Sequence, residues 1–212
     1  MIFRLDERLL FPDPTLAEPD GLLAVGGDLS EERLELAYQN GIFPWYDDDT
    51  PILWYSPHER FVLFPADLKI SKSMKQVLRS GQFTVTRDQC FEKVIEACSL
   101  VKRNGQDGTW ITSEMKEAYI RLHTKDKAHS VEVWEQDKLV GGLYGVAIGP
   151  VFCGESMFSM VSNASKTALI ALCNSGAYKL IDCQVYTEHL TSMGARLISR
   201  KEYLDILQNN ES

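Results

Sequence analysis

The sequence predicts a mixed α/β protein built around an antiparallel sheet, and three observations point that way. SVEVWEQ and KLVGGLYGVAIG are β-rich runs joined by a short polar turn near Asp137 and Lys138, the pattern of an antiparallel hairpin. Several helix-period segments follow a Ser or Thr able to cap them, notably Ser71 and Thr112. LIDCQVY is a near-continuous apolar run after the helical NASKTALIALCNSG, as expected of a buried central strand.

The first sixty or so residues are rich in Pro, Gly and aromatics. Pro12, Pro14 and Pro19 precede GLLAVGGDLS, where Gly26 and Gly27 mark a tight turn. Asp28 or Ser30 can cap the helix SEERLELAYQNG, which Gly41 ends, and Leu34, Ala37 and Tyr38 form its apolar face. GIFPWYDDDTPILWYSP is loop-like and holds Trp45 and Trp54. This reads as a small N-terminal α/β lobe over residues 1–61, with a larger domain over 62–212.

In that larger part, FVLF reads as a strand and Ser71 caps a helix from Lys72 to about Ser80. FTVT is a short strand, and DQCFEKVIEAC and TSEMKEAYIRLH are helices. The hairpin follows, VFCGESMF extends the sheet, and a helix ends at Gly176. After LIDCQVY come a helix, a short strand (ARLI) and the terminal helix RKEYLDILQ. Helices, an antiparallel set and a strand–helix–strand finish fit a mixed α/β domain.

With 212 residues, 44% hydrophobic and 25% charged, the chain can bury an ordinary globular core. Its net charge of −8 excludes a wholly basic nucleic-acid coat, so any RNA would have to meet a local basic patch. The five cysteines are odd in number and lack CxxC spacing, so buried thiols are expected rather than zinc or a disulfide framework. MIFRLDERLLFPDP lacks a signal peptide's apolar stretch, and no apolar run approaches the roughly 20 residues needed to span a bilayer. A cytoplasmic protein is expected, with no membrane contact.

Asp182 and Gln184 stand two apart on the buried run, so strand alternation would aim both at one side of the sheet. A carboxylate and an amide in an apolar strand are costly unless paired or working, and spacing leaves a hydrogen-bonded strand end as open as a site. Glu155 ends another apolar strand, where it could meet solvent or hold an ammonium group. Trp45, Trp54 and Trp110 lie beside Pro or Gly; core packing and base stacking both suit such tryptophans. Lys69, Lys72, Lys75 and Arg79 fall within a third of a helix circumference, opposite Met74, Val77 and Leu78. Such a stripe is usually a solvated face, but in an acidic chain it is also where a phosphate backbone could dock. His58, His123, His129 and His189 show no metal spacing and read as structural, and His189 follows the Asp182–Gln184 run.

EPDGLLAVGGDLS, AYQNGIFPWY, ILWYSP, GTWIT, AHSVEVW, LVGGLYGV, FCGESMFS, NASKTAL and LIDCQVYTEHLTSMGA, in this order over nearly the whole chain, resemble the leucyl/phenylalanyl-tRNA–protein transferase family. That resemblance implies a GNAT-like acyltransferase domain from about residue 62. It implies active-site roles for Glu155, Asp182 and Gln184, and positions around the donor's terminal adenosine for Tyr38, Trp45, Trp110 and Tyr119. It further implies an apolar side-chain pocket of Leu143, Leu169, Leu172 and Ile181, and tRNA contacts for Lys72, Lys75 and Arg79. Gln76 and Ser80 depart from further basic residues the family can carry in that helix, and Ser199 stands where a Pro is familiar.

The implied reaction moves Leu, Phe or Met from charged tRNA to the α-amine of proteins beginning with Arg or Lys, marking them for degradation. It is ester aminolysis, which requires neither metal nor cofactor. Alignment of the two reactants alone can lower a barrier by about 7–11 kcal/mol. An amide such as Gln184 is too weak a base to take the amine's proton but can orient its lone pair; Asp182 would position Gln184, and Glu155 would hold the donor's α-ammonium. A monomer is expected. Two rival readings fit the residues less well. A CoA-dependent acetyltransferase would want a glycine-rich phosphate loop where the chain reads SMVSNASKTAL. A non-catalytic RNA-binding module would leave Asp182, Gln184 and Glu155 without a task.

Overall fold

Four short strands make the first sheet: β1 (Phe3–Leu5), β2 (Leu22–Gly26), β3 (Phe43–Pro44) and β4 (Leu53–Tyr55), in the order β1-β2-β4-β3. The computed structural model describes residues 2–101 and 111–208. Helix α1 (Glu31–Gln39) follows β2. Ser30 occupies its N-cap position without a side-chain bond; Asp28 Oδ1 instead accepts from the Ser30 N–H at 2.8 Å. Glu31 and Glu32 in the first turn suit the positive end of the helix dipole. Gly41 then reverses the chain at φ +68, where a Cβ would also meet Leu204 at 2.9 Å.

The second sheet begins with β5 (Glu59–Leu63), so the boundary expected after residue 61 falls inside a strand. Next come α2 (Lys72–Arg79), β6 (Thr84–Arg87), α3 (Phe91–Ser99) and α4 (Ser113–Thr124). As expected, the hydroxyls of Ser71 and Thr112 cap α2 and α4, accepting from the N–H groups of Met74 and Met115 at 3.2 and 3.1 Å. The hairpin expected from composition is β7 (Ala128–Glu135) with β8 (Lys138–Ile148), and β9 (Val151–Ser159) pairs antiparallel on the far side of β8. Helix α5 (Ala164–Asn174), β10 (Leu180–Asp182), α6 (Glu188–Ser192), β11 (Arg196–Ser199) and α7 (Arg200–Gln208) complete the chain. Ser199, the departure from a familiar Pro, caps α7 by accepting from Glu202 N–H at 3.1 Å.

The seven strands run in the order β11-β5-β10-β9-β8-β7-β6. All pairings are antiparallel except β9 with β10, which is parallel, so the architecture is the expected mixed α/β one. Strand alternation divides the core. Val62, Tyr144 and Cys153 face α3, α4, α7 and the first lobe, while Phe61, Leu63, Leu143 and Ile181 face α5 and α6. The first lobe therefore shares one hydrophobic core with one face of the large sheet.

Two local irregularities position the site. The β8–β9 register shifts between Tyr144 and Gly145, whose partners are Ser156 and Gly154, leaving Glu155 as the extra residue of a β-bulge. A Cβ on Gly145 would lie 2.2 Å from the Cys153 carbonyl oxygen, so the bulge depends on a glycine there. The second corrects the sequence reading. The central strand ends at Asp182 rather than continuing to Tyr186, and Gln184 turns the chain at φ +58. Asp182 and Gln184 thus meet across a turn and not as alternate residues on one strand.

Candidate active site

The cavity, about 630 Å³, opens where β10 ends beside the bulge of β9, against the first lobe. Leu143, Leu169, Leu172 and Ile181, the expected side-chain pocket, all line it, together with Phe152 and Met157. The β8, β9 and β10 residues share the α5-facing side of the sheet, and α5 lays Leu169 and Leu172 over them. Trp45 lines the same cavity, is 42% exposed, and packs edge-on against Tyr55 with ring centroids 5.8 Å apart. Trp54 is core instead, donating from Nε1 to the Gly26 carbonyl at 2.8 Å. Trp110, expected near the adenosine, lies outside the described residues.

Glu155, Asp182 and Gln184 come together on the polar side of this cavity. Glu155 Oε1 accepts from Gln184 Nε2 and from the Tyr38 hydroxyl, both at 2.8 Å, and Oε2 accepts from the Tyr119 hydroxyl at 3.2 Å. The two phenols also hydrogen-bond to each other. Burial pushes the Glu155 carboxyl up to about 7, even though these three donors favour its charged form. Burial, with the charge of Glu155, likewise raises both phenols well above their ordinary value, so they remain proton donors.

The tyrosines correct one expectation. Tyr38, from α1, and Tyr119, from α4, are buried and their hydroxyls turn to Glu155; neither ring lines the cavity, so neither is open to an adenosine in this structure.

Asp182 reaches Gln184 through the backbone rather than the side-chain amide. Oδ1 accepts from the Gln184 backbone N–H at 3.0 Å, holding the left-handed turn, and Oδ2 accepts from the Arg60 guanidinium. Arg60 is 2% exposed, donates to the Gly41 carbonyl at 2.8 Å, and sits between the rings of Phe43 and Tyr203, 4.9 and 4.3 Å from their centroids. Burial works against its charge, but Asp182 more than offsets that and holds the guanidinium above its ordinary value.

Arg60, which holds Asp182 behind the site, is a residue that sequence reasoning missed. Its signal was available: a lone charge in the apolar RFVLF strand needs a buried partner, by the same argument that draws attention to Asp182. Among the histidines, His123 and His129 are structural, bonding the Ala128 carbonyl at 2.8 Å and Asp88 at 2.9 Å, whereas His189 lines the cavity. Cys98, Cys153 and Cys173 are buried, and Cys90 and Cys183 half-buried; none is in a disulfide.

The basic stripe lies elsewhere. Lys72, Lys75 and Arg79 are exposed on α2, with Met74 buried beneath them. Among the described residues no helix is long and apolar enough to cross a membrane.

A buried glutamate bonded to a half-buried glutamine beside an apolar pocket can align an amine and an acyl group. Comparison with known proteins is consistent with that chemistry. The family described as "Leucyl/phenylalanyl-tRNA protein transferase" matches residues 62–208, and that family's N-terminal domain matches 27–58. A leucyl/phenylalanyl-tRNA–protein transferase of Syntrophobacter fumaroxidans is 58% identical over 99% of this chain and 91% of its own. One from Flavobacterium johnsoniae is 54% identical over 98% of this chain and 100% of its own. A solved structure described as that of FemX is similar at TM-score 0.49 and 10% identity, covering 79% of this chain and 66% of that one. The chain belongs to the leucyl/phenylalanyl-tRNA–protein transferase family of enzymes.

Proposed function

We propose that this chain transfers leucine, and also phenylalanine or methionine, from its tRNA ester to the α-amine of proteins beginning with Arg or Lys, marking them for N-end-rule degradation. The observation that carries the reading is the Glu155–Gln184 hydrogen bond at the edge of a cavity walled by Leu143, Leu169, Leu172 and Ile181. An apolar side chain not branched at Cβ, such as that of Leu, Met or Phe, fits such a pocket, and a polar one would be desolvated there without a partner. A pocket of this kind separates side chains differing by a methylene by only about 1–3 kcal/mol, so several apolar donors are accepted.

Gln184 orients the attacking amine. An ionised Glu155 only accepts hydrogen bonds, so it fixes the amide with NH₂ toward the carboxylate and Oε1 directed away. That oxygen accepts from the incoming amine and aims its lone pair at the ester carbonyl. The amine needs no strong base, because an α-amino group of pKa about 7.7–8.0 is already partly neutral at physiological pH. Asp182 is a positioning residue, holding the Gln184 backbone and Arg60. Gln184 and the phenols surround Glu155, and because Tyr38 and Tyr119 also bond each other, only one of them at a time donates to the ionised carboxylate. A carboxylate has about four acceptor sites, which leaves room on Oε2 for the donor's α-ammonium. Trp45 offers a face for the terminal adenine, and Lys72, Lys75 and Arg79 the charge for the acceptor stem. Asp20, at the cavity edge, and the net charge of −8 suit a cationic acceptor.

The chain acts as a cytoplasmic monomer without metal or cofactor, its small N-terminal lobe and larger catalytic domain meeting near residue 61. The reading is tested with radiolabelled leucyl-tRNA and peptides beginning with Arg, Lys, Asp, Glu or Ala. Label should enter the Arg and Lys peptides alone. Label in none of them, or in the acidic ones instead, overturns the assignment.

A further inference from the structure

A cationic corner adjoins the cavity and has no part in the steps above. His189, on α6, lines the cavity. Lys166 stands on α5 one turn before Leu169, so the two side chains share a helix face, and Leu169 lines the same cavity. Burial, and after it the charge of Lys166, holds the His189 imidazole below its ordinary value. The ring is thus largely neutral near pH 7, able to donate one hydrogen bond. Lys166 is itself half-buried, and among the described residues no carboxylate lies within ion-pair reach of it. In a chain with 30 acidic and 22 basic residues, a partly desolvated ammonium without a counter-ion is out of keeping with its surroundings. A ligand that brings its own negative charge would resolve it.

We infer that Lys166 and His189 form a subsite for the phosphate on the 5′ side of the donor's terminal nucleotide, Lys166 supplying charge and His189 a single N–H. The inference rests on the aminoacyl-transfer reading. With the acyl side chain among Leu169 and Leu172 and the ester at Gln184, only the terminal ribose separates the reacting carbonyl from that phosphate. The phosphate must therefore leave the cavity within a short distance of the pocket. Lys166 lies one helical turn from Leu169, about 4.5 Å along the axis. No residue of α2 lines the cavity, whereas Lys166 stands one turn from Leu169, which does, so the basic face of α2 serves a different stretch of RNA. The subsite would let the enzyme grip the end of the tRNA whatever stem sequence precedes it.

The test compares two donors with one Arg-initiated peptide: leucyl-adenosine, which has no phosphate, and the leucyl ester of a CCA trinucleotide, which has one at the required place. Lys166→Gln should lower the ratio of kcat/KM for the trinucleotide over the nucleoside by about tenfold, the worth of one charge-assisted hydrogen bond. Lys166→Arg should restore most of it. Turnover of leucyl-adenosine also reports that the variant is folded. An equal fall with both donors overturns the subsite while leaving aminoacyl transfer standing. No transfer by the parent enzyme from any charged donor, full-length leucyl-tRNA included, overturns both. Direct binding gives a second readout. Adenosine 5′-monophosphate should raise the His189 pKa, followed by NMR and identified with His189→Asn, because a neighbouring anion favours imidazolium. Adenosine should leave it in place. An imidazole indifferent to saturating adenosine 5′-monophosphate also overturns the subsite.

Discussion

Gln184 Nε2 donates to Glu155 Oε1 at 2.8 Å, joining a left-handed turn after β10 to the bulged residue of β9. Replacing Glu155 by Gln keeps the size of the side chain and removes the charged acceptor that fixes the Gln184 amide. Leucyl transfer should fall by about a hundredfold in kcat, the size expected when a preorganised hydrogen-bonding group is lost from a dry site. Single-turnover transfer assays measure it, and a rate within twofold of the parent would remove the orienting role.

The same substitution has a pH signature. Glu155 titrates at about 7 in the folded protein, above its ordinary value of 4.5. The folded state therefore holds this proton more tightly than the unfolded chain. Its contribution to stability is complete below about pH 4.5 and is lost as pH rises through 7. Between pH 5 and pH 8 the parent should lose about 2–3 kcal/mol relative to Glu155→Gln. Urea denaturation of both proteins at the two pH values checks this, and a constant difference would contradict it.

Asp182→Ala should act mainly on the fold. It leaves Arg60 buried without its carboxylate and takes the acceptor from the Gln184 N–H. Breaking a buried pair from one side costs about 3–5 kcal/mol. The midpoint of chemical denaturation should drop accordingly, and a variant as stable as the parent would show that Arg60 has found another partner. For this reason Gln184→Ala, whose side chain bonds only Glu155 among the described residues, separates catalysis from stability better than any change at Asp182.

Donor choice should follow the pocket walls. Leu172→Phe adds bulk beside Leu169 and Ile181 and should lower kcat/KM for phenylalanyl-tRNA more than for leucyl-tRNA, by roughly tenfold or more in the ratio. Competition between the two charged tRNAs reads it directly. An unchanged ratio would mean that the acyl group lies elsewhere.

Lys72→Ala combined with Arg79→Ala should raise the apparent KM for aminoacyl-tRNA and flatten its dependence on salt, by close to one in log–log slope for each phosphate no longer neutralised. KM measured across a salt series tests it. Parallel lines for parent and variant would place the tRNA away from α2.

The sequence is most readable where local rules decide. Ser71 and Thr112 cap the helices they were expected to cap, and the hairpin turns beside Asp137 and Lys138 as composition suggests. Alternation fails at Gln184, because the strand stops two residues earlier and a non-glycine residue takes positive φ under the pull of the Asp182 carboxylate. No sequence period announces such a turn. Tyr38 does lie on the apolar face of α1, but nothing local says that its hydroxyl reaches β9. Arg60 escapes notice because its strand reads as ordinary core, and the partner that explains it is 122 residues away.

Tyr38 belongs to the first lobe and Glu155 to the second sheet, so one carboxylate of the candidate site is wired across the seam between them. The two parts are then not interchangeable modules. A chimera joining the opening segment of one relative to the remainder of another would inherit a phenol and a carboxylate tuned in different ancestors. Drift in the small lobe is therefore policed by the chemistry of the large one, even at positions far from donor and acceptor.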